Sequence, residues 1–251
     1  MRWITFLIVC PMVFLAGFID AIAGGGGLIS LPAYILAGIP MHGAVATNKL
    51  SSSTGTMIST LRLCRHSKID GKLIIPAVVL AMTGAATGSQ LSLLVDERIL
   101  KQILLVVLPV TAFFVLRKNA FVAETEVACS RKKTMLICWL AATLIGVYDG
   151  FYGPGTGTFY MIVFLGLAHL SAMDAAVNTK ILNLTSNVTS LVVFLLHGEC
   201  YMVLGLVASL FSIAGHYIGS GMVMKNGTKI IRPVILTVLA LLFVKVITEL
   251  G

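Results

Sequence analysis

An all-α integral membrane protein, built from two tandem and inverted repeats of about five helical elements each, is the fold class this sequence predicts. The first observation behind it is a charge deficit. The 251 residues are 58% hydrophobic and only 11% charged, with a mean hydropathy of +1.00, whereas a water-soluble domain carries about 25% charged residues. Second, the 18 basic and 10 acidic residues leave charge-free runs at 21–48, 73–95, 150–173 and 200–224. Several of these exceed the roughly 18–20 apolar residues that cross a bilayer core. Third, the chain repeats itself. Gly17, Asp20, Gly24 and Gly26 recur 129 positions later as Gly146, Asp149, Gly153 and Gly155. From Lys49 onward the offset is 131, taking Lys49 to Lys180, Ser59 to Ser190, Gly84 to Gly215, Gly88 to Gly219 and Ser89 to Ser220. So many polar and glycine matches at nearly one offset mark a duplication.

The repeats span 1–117 and 134–251, joined by a polar cytoplasmic linker at 118–133. The first element, 3–22, follows Arg2 and ends in Ala21-Ile22-Ala23, which imitates a secretory signal with its cleavage site. Asp20 within it, and its return in the second half, favour a retained first span. The second, 28–39, lies between a glycine run and Pro40 and is too short to cross a bilayer as a helix. It reads as a half-helix of a broken span or a re-entrant segment. The third, 42–62, carries Lys49 and ends on Arg62; the fourth, 73–95, is free of charge, and the fifth, 98–116, is apolar after Arg98 and Lys101. The second half repeats the series at 134–150, 156–168, 172–197, 201–224 and 230–249, giving about eight to ten spans in all.

Charge placement orients the elements. If the short elements cross and the N-terminus lies outside, the basic loops at 62–72, 117–133 and 225–232 all fall on the cytoplasmic side. An odd number of crossings per half then makes the repeats inverted, as in many secondary transporters. The net charge of +8 is therefore a record of orientation, and a nucleic-acid partner is excluded. The five cysteines are dispersed without metal-type spacing, and the five histidines form no ligand cluster. His216, mid-span, is the one histidine placed for proton movement. Neither a nucleophile–base pair nor a cofactor or metal motif is present, so no enzyme is expected.

Charges inside spans cost roughly 2.5–3.5 kcal/mol each and mark protein interiors or solvated pathways. Four stand out: Asp20 and Lys49 in the first half, Asp149 and Lys180 in the second. Capping or snorkelling is the structural alternative. The lysines head matching stripes on one helical face, Lys49, Ser52, Thr56 and Ser59, and Lys180, Asn183, Asn187 and Ser190. Such stripes serve either as interhelical hydrogen-bond glue or as the lining of a substrate pathway. The runs Gly24-Gly25-Gly26-Gly27 and Gly153-Pro154-Gly155-Thr156-Gly157 break helices and leave backbone N–H groups at the positive end of the next one. With Asn48 and Lys49, and Asn178, Thr179 and Lys180, each half offers donors and one cation, which suits a small oxyanion. Gly84-x-x-x-Gly88 and Gly215-x-x-x-Gly219 read as intramolecular helix contacts, with a homodimer seam as the alternative.

The stretch from Gly17 through Asp20 to Gly27, followed by Ala46-Thr47-Asn48-Lys49, resembles the TauE/SafE family of sulfite exporters. Gly153-Pro154-Gly155 and Asn178-Thr179-Lys180 are similar to that family's second signature, and the resemblance covers nearly the whole chain. It implies a permease for sulfite, sulfoacetate, thiosulfate or related organic anions. The expectation is a multi-pass protein of the cell (inner) membrane that binds a small anion and acts as a secondary exporter. Substrate contacts would come from Asn48, Lys49, Ser52, Thr56, Asn178, Thr179, Lys180, Asn183, Asn187, Gly25, Gly26 and Gly155. Asp20 and Asp149 would carry coupling protons or hold the lysines. An anion channel and a non-transporting membrane scaffold are the alternatives.

Overall fold

A computed structural model describes residues 3–65, 67–100, 102–103, 106 and 130–226. Eight helices with defined bounds organise them: α1 (Trp3–Ala23), α2 (Gly27–Leu36), α3 (Met41–Cys64), α4 (Gly71–Leu94), α5 (Arg131–Phe151), α6 (Thr156–Gly166), α7 (Ala172–Leu196) and α8 (Met202–Asn226). No strand occurs among the described residues. The expected elements at 98–116 and 230–249 lie almost wholly outside them, as does the linker. Its last residues, 131–133, form the first turn of α5 rather than linker.

The boundaries follow local chemistry. α4 starts where the Asp70 carboxylate accepts the Lys72 N–H at 3.1 Å, and α7 where the Ser171 hydroxyl accepts the Asp174 N–H at 3.1 Å. α1 stops at Gly24, whose φ of +76° suits glycine and few other residues. α2 and α6 have 10 and 11 residues, about 15 Å of helix against a bilayer core of about 30 Å. α1, α4, α5, α7 and α8 are long and apolar enough to cross a membrane. α3, at 24 residues, has the length but not the apolarity, because it carries the Lys49 stripe and is largely buried.

Burial is inverted relative to a water-soluble fold. Trp3, Leu94, Leu144, Leu196 and Leu210 are exposed, whereas Asp20, Lys49, Asp149, Lys180, Asn183 and Asn187 are buried. Lipid accepts the former, and the protein interior must satisfy the latter. The closest packing joins α4 to α5 and α1 to α8, each time the fourth helix of one half against the first of the other. Glycines make this approach possible: a Cβ on Gly84 would lie 2.6 Å from the Thr143 carbonyl oxygen, and one on Gly215 would overlap the Phe14 carbonyl and lie 2.8 Å from the Phe18 nitrogen. Both Gly-x-x-x-Gly motifs thus face intramolecular seams. α3 and α7, the helices bearing the polar stripes, pack against each other in the centre.

Candidate functional site

Two buried ion pairs cross between the halves. Lys49 of α3 points its ammonium at Asp149 of α5, Nζ to Oδ1 2.8 Å, and donates to Asn187 Oδ1 of α7 at 3.0 Å. Lys180 of α7 does the same toward α1, with Nζ 2.8 Å from Asp20 Oδ2 and a second bond to the Asp20 carbonyl. Each lysine therefore neutralises the aspartate of the opposite repeat segment, and neither pair reaches solvent freely. Removing charges from water costs several kcal/mol per ion, so a buried pair persists only when its remaining valences are filled. They are filled differently. Asp149 accepts from Thr156 Oγ1 at 2.8 Å and from the Ser186 hydroxyl. Asp20 accepts the Gly26 N–H at 3.2 Å and lies 3.2 Å from His216 Nε2.

The helix breaks meet at the same level. A Cβ on Gly157 would lie 2.5 Å from the Gly24 Cα, and the Thr158 N–H donates to the Gly24 carbonyl at 3.2 Å. Gly153, at φ +96°, leaves room beside the first pair; a Cβ there would sit 3.0 Å from both Asp149 Oδ1 and Lys49 Nζ. Between the breaks and the two stripes lies a small polar cavity. It offers about 20 Å³ to the centre of a water-sized sphere, enough for a water molecule. Its wall combines Asn48, Lys49, Ser52 and Thr56 of α3, Asn183 and Asn187 of α7, the two aspartates, and Gly24, Gly27, Gly153, Gly155, Thr156 and Gly157 at the breaks. Amide, hydroxyl and ammonium donors converge there, while the four charges sum to zero.

The family description "Sulfite exporter TauE/SafE" matches residues 9–246. The chain belongs to this family. Among its relatives are a Sinorhizobium protein described as probable membrane transporter protein ORF9 and the Escherichia coli K12 probable membrane transporter protein YfcA. The first is 36% identical, over 94% of this chain and 90% of its own length; the second is 34% identical, over 94% and 87%. A Haemophilus influenzae probable membrane transporter protein is 33% identical over 95% of this chain and 92% of its own length. No solved structure matches. This TauE/SafE member is accordingly a multi-pass membrane transporter, in a family of transporters rather than enzymes, which sits in a lipid bilayer and binds a small substrate.

Within this TauE/SafE fold the residues singled out from sequence do not all converge. Asn48, Lys49, Ser52, Thr56, Asn183, Asn187 and Gly155 line the cavity together with Asp20 and Asp149. Lys180 stands behind Asp20. Gly26 serves Asp20 through its N–H, and Gly25 lies against Thr158 and Leu28. Asn178 donates to the Asp174 carbonyl within α7 at 2.8 Å, and the buried Thr179 hydroxyl has no partner among the described residues. Successive helical residues are about 100° apart, so three in a row cannot all face one site.

Sequence reasoning passed over Ser186 and Thr156, which hold Asp149. The repeat alignment carried the signal for Ser186: it matches Gly55, a polar residue where the other half has none. A Cβ on Gly55 would strike the His216 ring and the Ser212 hydroxyl, so the missing side chain in one half is the space that His216 fills.

Proposed function

We propose that this TauE/SafE transporter is a secondary exporter of small sulfur-containing or organic anions, such as sulfite or sulfoacetate, across the cell membrane. The observation that supports the reading most is the crossed Lys49–Asp149 and Lys180–Asp20 pairs, set beside a donor-lined cavity where both helix breaks meet. Lys49 binds the anion directly, with Asn48, Ser52, Thr56, Asn183 and Asn187 as hydrogen-bond donors. Lys180 acts from behind Asp20, and Asn178 and Thr179 serve the packing of α7. Asp20 and Asp149 hold the lysines in the empty site and release them when the anion enters. Because each pair joins segments 1–117 and 134–251, exchanging carboxylate for substrate loosens one half from the other. Rocking of the two inverted halves then alternates access to the cavity.

The test is flux of sulfite and sulfoacetate into proteoliposomes by the wild-type chain, Lys49→Met and Lys180→Met. The proposal predicts saturable wild-type flux and a loss of about tenfold or more in each variant, the cost of about 1.4 kcal/mol or more of substrate stabilisation. Unchanged flux in both variants overturns the proposed site.

A further inference from the structure

The two ion pairs differ in one respect that bears on energy coupling: among the described residues, only the Lys180–Asp20 pair has a histidine against its carboxylate. His216 Nε2 lies 3.2 Å from Asp20 Oδ2, and its Nδ1 lies 3.0 Å from the Ser212 carbonyl oxygen. Both oxygens are obligate acceptors. A neutral imidazole has a hydrogen on only one nitrogen, so the other would set a lone pair against an acceptor; the imidazolium satisfies both. The neutral ring can turn to two local donors, the Thr56 hydroxyl at 3.4 Å from Nε2 and the Ser212 hydroxyl at 3.4 Å from Nδ1, so the site can hold either protonation state, and Thr56 is also on the cavity wall. His216 is 2% exposed. Its space is created by two glycines on neighbouring helices, Gly17 of α1 and Gly55 of α3, at which any Cβ would collide with the ring. At the other pair the positions matching His216 and Gly55 are Ala85 and Ser186, and the Ser186 hydroxyl, which does not titrate in this range, takes the imidazole's place on the carboxylate.

Among the described residues, Asp20 is the charged group in direct contact with the ring. α1 and α3 are the helices packed most closely on α8. From α1 the ring meets Asp20, which also binds Lys180 of α7; from α3 it meets Thr56; from its own helix, Ser212. Arg62 of α3 goes instead to the Tyr217 carbonyl and to Ser220 Oγ at 3.1 Å. With His216 neutral, Asp20, Lys180, Lys49 and Asp149 sum to zero. With His216 protonated, the buried cluster carries one uncompensated positive charge, and an isolated buried charge is costly.

We infer that His216 is the proton-binding residue of the transport cycle and that one proton enters the cluster with each anion. The inference rests on the anion reading above and moves the coupling role from the aspartates to the histidine. Anion and proton each lower the penalty of the other. By linkage, a bound anion strengthens proton binding by the factor by which the proton strengthens anion binding. The sign follows: anion affinity rises as pH falls, by at most about tenfold per pH unit, the limiting slope for one linked proton.

The test measures proton uptake from a weakly buffered solution of the purified full chain on addition of sulfoacetate, which does not itself titrate near neutral pH, with calorimetry on the same samples. About one proton per bound anion is expected for the wild type. Uptake per bound anion should fall to near zero, with binding weaker but still measurable, in His216→Gln and in the double variant Gly55→Ser/His216→Ala, which copies the arrangement around Asp149. Binding without proton uptake in the wild type, or undiminished uptake in both variants, overturns the inference. Should sulfoacetate and sulfite both fail to bind, the substrate class falls, and ¹⁵N NMR of the histidine rings decides the rest. The signal lost in His216→Gln must pass from neutral to doubly protonated as the pH is lowered across the range in which the protein stays folded. A ring fixed in one state across that range overturns the role of His216.

Discussion

Replacing Lys49 by methionine removes a charge and keeps the stem, which makes its cost calculable. Both members of the pair are 2% exposed in their side chains and lie 2.8 Å apart. At an effective dielectric of about 20 their attraction is about 6 kcal/mol, part of which repays the desolvation of both ions. Breaking such a pair from one side typically costs about 3–5 kcal/mol. Asp149 keeps the Thr156 and Ser186 hydroxyls, so the lower end, about 3 kcal/mol, is expected for Lys49→Met. Asp149→Asn on that background removes the orphaned charge and should recover about 2 kcal/mol. Lys180→Met should cost less than Lys49→Met, because Asp20 is 12% exposed and retains His216 as a partner. Equilibrium unfolding of the purified chain in mixed micelles reads these stabilities, and wild type, Lys49→Met, Asp149→Asn and their double variant close a cycle that isolates the coupling. A Lys49→Met cost under about 1 kcal/mol, or a double variant at the sum of the singles, would refute the reasoning.

Two further perturbations probe the frame around the site. Gly157→Ala should destabilise by about 1–3 kcal/mol and depress flux, since its Cβ would press on the Gly24 backbone at 2.5 Å. Gly166→Ala, with nothing within 4 Å, should leave thermal unfolding within about 0.5 kcal/mol of wild type; equal losses would show that the helix breaks do not touch. Arg62→Met should cost about 1 kcal/mol in the same assay, because the guanidinium stacks 4.2 Å from the Tyr217 ring centroid and bonds its carbonyl. No change on substitution would mean that this contact does not tie α3 to α8.

What was legible in the chain divides along physical lines. Hydropathy reports directly on the solvent an element needs, so the charge-free runs 73–95 and 200–224 coincide with α4 and α8, and those at 21–48 and 150–173 enclose α2 and α6, which fell out as too short. The four intramembrane charges announced themselves through their cost. Their partnership did not. Lys49 and Asp149 are 100 positions apart, Lys180 and Asp20 160, and only the packing of α1 on α8 and α4 on α5 brings each lysine to the other half's carboxylate. The polar stripes were read from helical spacing, which placed Ser52, Thr56, Asn183 and Asn187 on one wall. The motif Asn178-Thr179-Lys180 misled by contiguity, because a helix turns consecutive residues away from one another. His216 could be noticed as a mid-span histidine, yet its contact with Asp20 depends on two glycines distant in sequence.

A structure of the chain with sulfite or sulfoacetate bound tests the central claim most directly. The account predicts density for the anion within about 3 Å of Lys49 Nζ, with Asn48, Ser52 or Asn183 donating to it and Asp149 withdrawn from the ammonium. Anion density elsewhere, with both Lys–Asp pairs still closed, would contradict it.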